Sequence, residues 1–291
     1  MQGRTRQSLG AAALAGALFG ANAFGQAAPE PPVIEADGAA TWRLQFEPMA
    51  WAPALNGNLN LTGGDLFDID LISLSEVAWA PAWQVSLRED KWTITLDGFD
   101  FETSGDAKAS GAIAGGGVSV AVGDTVDYNV DYAAYTLTVS RRVWTLPVHN
   151  EVAGVDVGVP AGPGEVPSDG VGVFFDVLGG VRLYDLGLQL DSGGSALANE
   201  DHTWVDALIG ARMSVDFPYG IGLDVTGDVG GLGSTFAWNI EVGVHWAMSD
   251  NVAAEIGFRH LDTLYEDSGG NDPFEWDVAL AGLYGSIVIR F

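Results

Sequence analysis

The side chains that could do chemistry in this chain are charged residues at alternate positions of otherwise apolar segments. Arginines and carboxylates in one enclosed space can pair and close it, or they can line a narrow aqueous path and set ion preference. The sequence alone leaves both alternatives open. Fourteen residues are candidates for such an interior lining: Arg43, Glu47, Arg88, Asp97, Asp176, Arg182, Asp206, Arg212, Asp224, Asp228, Glu241, Glu255, Arg259 and Arg290.

Catalytic chemistry has weak support in the residue pattern. The four histidines, His149, His202, His245 and His260, are scattered along the chain. Asp201 precedes His202, but adjacent residues of a strand face opposite sides, and no Ser/His/Asp constellation is evident. We therefore expect no enzyme activity, no catalytic residue and no cofactor.

One acidic stretch, from Asp65 through Asp68 to Asp70, offers oxygen ligands of the kind that Ca²⁺ and Mg²⁺ prefer. Its spacing does not fit a twelve-residue calcium loop. We expect a solvated acidic loop that could attract divalent cations, and we expect no dedicated metal-binding residue.

The composition of the 291-residue chain excludes several classes of protein. There is no cysteine, so disulfide frameworks and cysteine-based metal sites are impossible. The formal net charge of −27, from 12 Lys and Arg against 39 Asp and Glu, argues against nucleic acid as a partner. The mean hydropathy is nevertheless +0.17. The apolar and the acidic residues must therefore be sorted onto different surfaces.

A period-two alternation of apolar and polar residues runs through most of the chain. In 202–217, for example, Val205 and Ile209 share one face, while Asp206 and Arg212 share the other. Such alternation is the signature of β-strands, whose side chains point to opposite faces. We predict ten strands, near 41–53, 76–88, 91–103, 126–141, 171–190, 202–217, 220–230, 235–248, 251–265 and 276–291.

Short turns alternate with longer connections rich in Gly, Asp and Asn, at 54–75, 104–125, 191–201 and 266–274. Short turns at one end and long loops at the other are typical of outer-membrane β-barrels. A sheet in lipid must close so that every backbone group is paired. The sequence therefore predicts an all-β fold, a closed antiparallel transmembrane up-and-down β-barrel of about ten strands, formed by residues 41–291.

Two segments depart from this pattern. Residues 142–170 would form a long connection, but EVAGVDVGV at 151–159 could be strand, so a count of twelve strands stays open. In the fourth predicted strand the apolar face changes after Tyr132, from which we expect a β-bulge near Ala133 and Ala134.

The beginning of the chain is typical of a secretory signal peptide. Arg4 and Arg6 precede the apolar stretch LGAAALAGALFG, and Ala21-Asn22-Ala23 fits the small-x-small cleavage pattern. Cleavage after Ala27 is an alternative. We predict Sec-type export with a signal peptide at 1–23 and a flexible Pro- and Ala-rich leader at 24–40.

The chain ends on an alternating strand with a terminal aromatic residue. Phe291, Ile289 and Ile287 share one face, a pattern similar to the assembly signal of bacterial outer-membrane barrels. We therefore expect the barrel assembly machinery of a Gram-negative bacterium to bind the last strand, and outer-membrane lipid to surround the barrel. Tryptophans near strand ends favour a membrane-interface girdle: Trp42, Trp79, Trp83, Trp92, Trp238 and Trp246.

Several segments resemble a family of bacterial outer-membrane β-barrel proteins, porin-like and without an assigned activity. The most characteristic are GDVGG at 227–231 and WVD at 204–206. The resemblance covers most of the chain after the leader except 106–170, and it implies a closed outer-membrane barrel with no catalytic residue assigned. The other similar segments are EPMAWAPALNGNL (47–59), FDIDLISL (67–74), DKWTITLDGFDFETSG (90–105), FFDVLGGVRLYDL (174–186), TWVDALIGARM (203–213), DVTGDVGG (224–231) and FRHLDTLYED (258–267).

These observations together predict an outer-membrane β-barrel that acts as a structural protein or as a small-solute pore with a polar Arg/Asp/Glu lumen. Ten strands lie nearer the small barrels that side chains fill than the wide channels. The alternatives are a periplasmic lipocalin-like binding barrel and, with less support, an outer-membrane enzyme.

Overall fold

The computed structural model describes most of the chain after the predicted leader. The signal peptide, the leader and the segment at 151–159 lie outside the described residues, so the predictions made for them stay predictions. Among the residues described, no helix is long and apolar enough to cross a membrane. The described ranges are 42–61, 64–70, 78–109, 113–115, 118–148, 171–217, 220–267 and 274–291.

The described chain is built almost entirely of β-strands. In chain order they are β1 (Arg43–Leu61), β2 (Gly64–Asp70), β3 (Ala80–Glu89), β4 (Trp92–Lys108), β5 (Ile113–Gly115), β6 (Val118–Val120), β7 (Thr125–Val148), β8 (Val171–Ser192), β9 (Ser195–Asp216), β10 (Ile221–Gly231), β11 (Phe236–Ala247), β12 (Val252–Asp267) and β13 (Phe274–Arg290).

Ten of these strands form one closed antiparallel barrel. In order around it they are β1, β3, β4, β7, β8, β9, β10, β11, β12 and β13, and β13 pairs with β1 to close the circle. The prediction of a closed, antiparallel barrel of about ten strands is confirmed. The three remaining strands lie outside this circle: β2 pairs with the second half of β1, and β5 and β6 form a separate two-stranded sheet.

The strands are staggered around the barrel. A path along directly paired residues leads once around the barrel, from Asn251 through Arg290 and Gln45, and returns to β12 at Thr263. The residue at its end is 12 positions further along the chain than the residue at its start, and this difference is the register shift of the closed sheet. For ten strands this stagger corresponds to a tilt of roughly 40° from the barrel axis. A barrel of this size has a lumen that side chains can fill.

The two ends of the barrel differ in their connections. At the end that we call the turn end lie the start of β1, the end of β13 and the short connections from β3 to β4, from β9 to β10 and from β11 to β12. At the opposite end, the loop end, the strands run on beyond the predicted limits. β1 reaches Leu61, and β4 pairs through Lys108 with Thr125.

Where the structure describes them, the long connections predicted at the loop end are therefore largely strand. The prediction of a long loop at 191–201 is wrong, because β8 and β9 remain paired up to Ser192 and Ser195. The turn between them is Gly193-Gly194, and both glycines have positive φ. The prediction of an acidic loop at 65–70 is also wrong, because residues 64–70 form strand β2, which pairs with β1. The Gly-, Ser- and Asp-rich composition of 191–201 indicates a loop. Pairing with the apolar part of β8 at the loop end nevertheless makes this segment a strand.

The β-bulge expected at Ala133 and Ala134 is also wrong. Both residues are paired without interruption, opposite Asp100 and Phe99 on β4. The register of β7 with β8 shifts further on, between Arg142 and Trp144. The change of apolar face that the sequence shows after Tyr132 has another cause. The side chains keep their alternating directions along β7, but the polarity of each face changes.

The outer surface carries an apolar belt near the turn end. On β8, Phe175, Val177, Val181 and Leu183 are all exposed, and the next outward residue is Asp185. From Val173 to Leu183 this belt rises about 25 Å at the inferred tilt. Exposed aromatic residues follow its lower edge at the turn end: Trp42, Trp92, Trp144, Phe217, Trp246 and Phe291. Nearer its upper edge, Trp79 is 67% exposed.

Candidate functional site

The inner face of the barrel changes its chemistry along the barrel axis. Towards the loop end it is apolar, and β8 buries Leu186, Leu188 and Leu190 there. Towards the turn end the same strand buries Arg182 and Asp176 instead. The interior is therefore polar in one half and apolar in the other, the reverse of the outer surface at each level.

Six aromatic side chains fill the lumen where these halves meet. Neighbouring rings are in contact, with centroids 5.0 Å apart for Trp51 and Phe99, 6.0 Å for Phe99 and Tyr132, and 4.9 Å for Tyr184 and Trp204. All six side chains are at most 5% exposed. We call this set the aromatic plug: Trp51, Phe99, Tyr132, Tyr184, Trp204 and Trp276.

The aromatic plug extends from one wall of the barrel to the other. The ring centroid of Tyr132 lies 5.8 Å from that of Trp276, and the Tyr132 hydroxyl lies 3.1 Å from Thr263 Oγ1. Tyr132 is on β7 and Thr263 is on β12, which stand five strands apart in either direction around the circle. Side chains from opposite walls therefore meet in the middle of the lumen.

A buried charge network adjoins the plug on its turn-end side. Arg182 Nη2 donates to Asp228 Oδ2 at 2.9 Å, and Asn239 Nδ2 donates to the same oxygen at 3.1 Å. Arg259 Nη2 lies 3.4 Å from Asp97 Oδ1, and its guanidinium lies 5.4 Å from two ring centroids of the plug. These contacts connect β4, β8, β10, β11 and β12 through the interior.

A second cluster lies closer to the turn end and is centred on Asp224. Arg212 Nη2 donates to Asp224 Oδ1 at 2.8 Å, and Ser214 Oγ donates to the same oxygen at 2.5 Å. The other oxygen, Oδ2, lies 2.8 Å from His245 Nδ1. On the neighbouring strands, the Tyr284 hydroxyl donates to Glu255 Oε1 at 2.5 Å.

Two cavities occupy the space that these groups leave. One, which we call the inner cavity, has a volume of about 90 Å³ and lies between the buried network and the Asp224 cluster. The other is a vestibule of about 720 Å³ that opens at the turn end. Arginines border this vestibule, and Arg43 and Arg88 stand directly opposite each other on β1 and β3. Like charges in this arrangement repel each other.

The structure places the fourteen predicted lining residues in the barrel interior or at its turn-end mouth. Asp206 differs from the others, since its buried carboxylate accepts hydrogen bonds from the backbone N–H groups of Gly233 and Ser234 and so anchors the β10–β11 connection. The functional role of the set stays a prediction. The inner cavity is bordered by Glu47, Asp97, Arg182, Arg212, Asp224, Asp228, Glu241, Glu255 and Arg259, and the vestibule by Arg43, Arg88, Asp176, Arg212 and Arg290.

Sequence reasoning missed several residues of this interior. His245 shares its face with Glu241 in the alternation of β11, so the period-two pattern could have included it. Arg142 donates from Nε to Asp176 at 3.1 Å, but the register shift next to it hides its direction from the sequence. Tyr284 and the aromatic plug were missed because apolar residues were expected to face outward throughout.

The contacts of Arg212 give a first prediction. Arg212→Ala should lower the free energy of unfolding by about 1–3 kcal/mol, because it leaves the Asp224 carboxylate without its charged donor. The measurement is urea unfolding of the purified protein in detergent, followed by tryptophan fluorescence. Arg141→Ala, at an exposed position of β7, is the matched control. Equal stability of the two variants would show that Arg212 does not contribute to the fold.

Comparison with solved structures finds bacterial β-barrels of low similarity. Neisserial surface protein A is 12% identical, with a TM-score of 0.34, 87% of this chain covered and 99% of that chain. For Ail, the attachment invasion locus protein of Yersinia pestis, the values are 8%, 0.33, 87% and 100%. For the translocator domain of the autotransporter NalP from Neisseria meningitidis they are 12%, 0.33, 88% and 90%. No family model and no curated protein matches the chain.

Proposed function

We propose that this protein is a sealed structural β-barrel of the bacterial outer membrane. The observation that carries this proposal is the aromatic plug, in which Tyr132 meets Trp276 and Thr263 from the opposite wall. A continuous water path through the barrel would have to pass this level, where buried rings are packed against each other. The small-solute pore, the other predicted function, is therefore the outcome that would overturn the proposal.

The outer surface supports a location in a membrane. In water, an apolar belt with residues such as Ile209 at 70% and Ile256 at 65% exposed would be unfavourable. In a bilayer the same belt faces hydrocarbon, since transmembrane barrels carry an apolar band about 25 Å tall with aromatic girdles at both edges. The turn end would then face the periplasm, and the loop end the outside of the cell.

The processing and partner predictions belong to this same proposal. A signal peptide at 1–23 would direct Sec-type export, and the last strand with Phe291, Ile289 and Ile287 would bind the barrel assembly machinery. Phe291 and Ile287 are exposed on the outer face, where a partner could reach them. Outer-membrane lipid is the main partner, and we propose no catalytic step for this barrel.

Planar-bilayer recording of the purified protein tests the seal. We expect no discrete conductance steps from the unmodified barrel. The double variant Tyr132→Ala/Trp276→Ala should produce steps, because it removes both halves of the contact across the lumen. Trp42→Ala/Trp246→Ala, which removes two exposed aromatic residues of the outer surface, is the matched control and should stay silent.

Steps from the unmodified protein would refute the seal and favour the small-solute pore. Silence of the plug variant would show that the aromatic plug is not the barrier, provided that heat-modifiable gel mobility shows the variant to be folded. Cell fractionation separates the membrane proposal from a periplasmic lipocalin-like barrel. Recovery of the protein in the soluble fraction without detergent would contradict the membrane location.

A further inference from the structure

Four residues form a direct cross-strand row in the interior near the turn end. Asp216 on β9 stands opposite Gly222 on β10, Gly222 stands opposite His245 on β11, and His245 stands opposite Glu255 on β12. Adjacent strands of a sheet are about 4.8 Å apart. The row therefore brings two carboxylates to the two sides of one imidazole, with a glycine leaving space between Asp216 and His245.

The imidazole of His245 is held in a defined orientation over this glycine. Its Nδ1 lies 2.8 Å from Asp224 Oδ2, and Asp224 is itself fixed by Arg212 and Ser214. A Cβ atom at Gly222 would overlap His245 Cε1 and Nε2 and would lie 3.1 Å from Asp216 Oδ1. Nε2 and the Asp216 carboxylate therefore face the same small space.

The Asp216 carboxylate is the part of the row that requires a ligand. Asp216 is 5% exposed, and neither of its oxygens has a hydrogen-bond partner among the described residues. Its Oδ1 lies 3.7 Å from His245 Nε2, which is beyond hydrogen-bond distance. A buried carboxylate without a donor is strongly unfavourable, so a proton or a cation must compensate it.

We propose that Asp216 and His245 bind a divalent transition-metal ion, of which zinc is the representative case. Zinc bonds of 2.0–2.2 Å to imidazole nitrogen and carboxylate oxygen bridge a gap of 3.7 Å at an open angle. Asp224 then has the role of the carboxylate that accepts the other imidazole N–H and orients a metal-binding histidine. Glu255 stands on the other side of the imidazole, where donor atoms of Asp224, His245 and Glu255 lie within 4.8 Å of one another, so it adds negative charge beside the site and is not counted as a ligand.

The charges around the site favour a divalent cation as the group that compensates the Asp216 carboxylate. The carboxylates that interact here are Glu47, Asp176, Asp216, Asp224, Glu241 and Glu255, and the guanidiniums are Arg142, Arg212 and Arg290. Carboxylates therefore outnumber guanidiniums around the site.

Zinc titration of the purified full-length barrel in detergent, after removal of metals with a chelator, tests the site. Isothermal titration should show one zinc ion bound per chain. His245→Ala and Asp216→Asn should each weaken the binding at least about tenfold, since even residues that only orient a ligand contribute 10–100-fold to metal affinity. His260→Ala is the matched control, because His260 lies on the outer face beside Trp238 and should leave the titration unchanged.

Gly222→Ala separates metal binding from loss of charge. It keeps every carboxylate and the histidine, but its methyl group would overlap His245 Cε1 and Nε2, so the imidazole must move from its place beside Asp216. We expect this variant to fold, as judged by heat-modifiable mobility, and to lose the zinc signal. Zinc binding that is absent in the unmodified barrel, or that survives in folded Gly222→Ala or His245→Ala, would overturn the proposal. These results do not depend on whether the barrel conducts.

Discussion

Replacement of Arg182 by methionine should lower the free energy of unfolding by about 3–5 kcal/mol, the usual cost of removing one partner of a buried ion pair. Arg182 is 3% exposed and donates to Asp228 and to Thr136. Without the guanidinium, the Asp228 carboxylate stays in the closed interior with the neutral amide of Asn239 as its remaining donor. Urea unfolding in detergent, followed by tryptophan fluorescence, measures the loss.

The double variant Arg182→Met/Asp228→Leu provides the decisive comparison. Replacing both members of a buried pair by apolar residues of similar volume is often neutral or stabilising. We therefore expect it to recover most of the stability that Arg182→Met loses. If Arg182→Met were as stable as the exposed control Arg141→Met, the Arg182–Asp228 pair would make no net contribution to folding.

Trp276→Ala should lower the free energy of unfolding by a similar amount, about 3–5 kcal/mol, because it leaves a large cavity in a packed interior. Trp276 is fully buried and contacts Tyr132 from the opposite wall. The same urea measurement applies, and the loss of a large near-ultraviolet circular dichroism signal would report the broken ring packing.

Trp246→Ala is the control for Trp276→Ala, because Trp246 is 59% exposed on the outer surface at the turn end. Its loss creates no interior cavity, so the stability should fall clearly less. Equal losses from the two variants would mean that the interior aromatic residues pack no better than those on the outside, which contradicts a plug.

The wall of the barrel could be predicted from the sequence, whereas much of its interior could not. Period-two alternation located all ten barrel strands, because the direction of a side chain in a strand depends only on its position. Alternation does not say which face is inside. On β7, Tyr132 and Thr136 both point inward, and the sequence cannot show that the inner face changes from apolar to polar between them.

Contacts between distant strands were beyond sequence reasoning for a different reason. The pairing of Asp97 with Arg259 joins residues 162 positions apart, and it depends on the stagger of the whole barrel. The row of Asp216, Gly222 and His245 depends on the registers of two successive hairpins. Register is a property of pairing partners, and one sequence without its fold does not specify it to the residue.

Two residues of the aromatic plug lie on β1 and β13, the strands that close the barrel, and this affects how the barrel can open. Trp51 lies on β1 and Trp276 on β13, and the Trp51 indole donates to the Gly282 carbonyl on the other side of this seam at 3.3 Å. Separating the first and last strands would pull these residues out of the core that they share with Tyr132. The aromatic plug therefore also holds the first and last strands together, so lateral opening of the barrel between β1 and β13 is unfavourable.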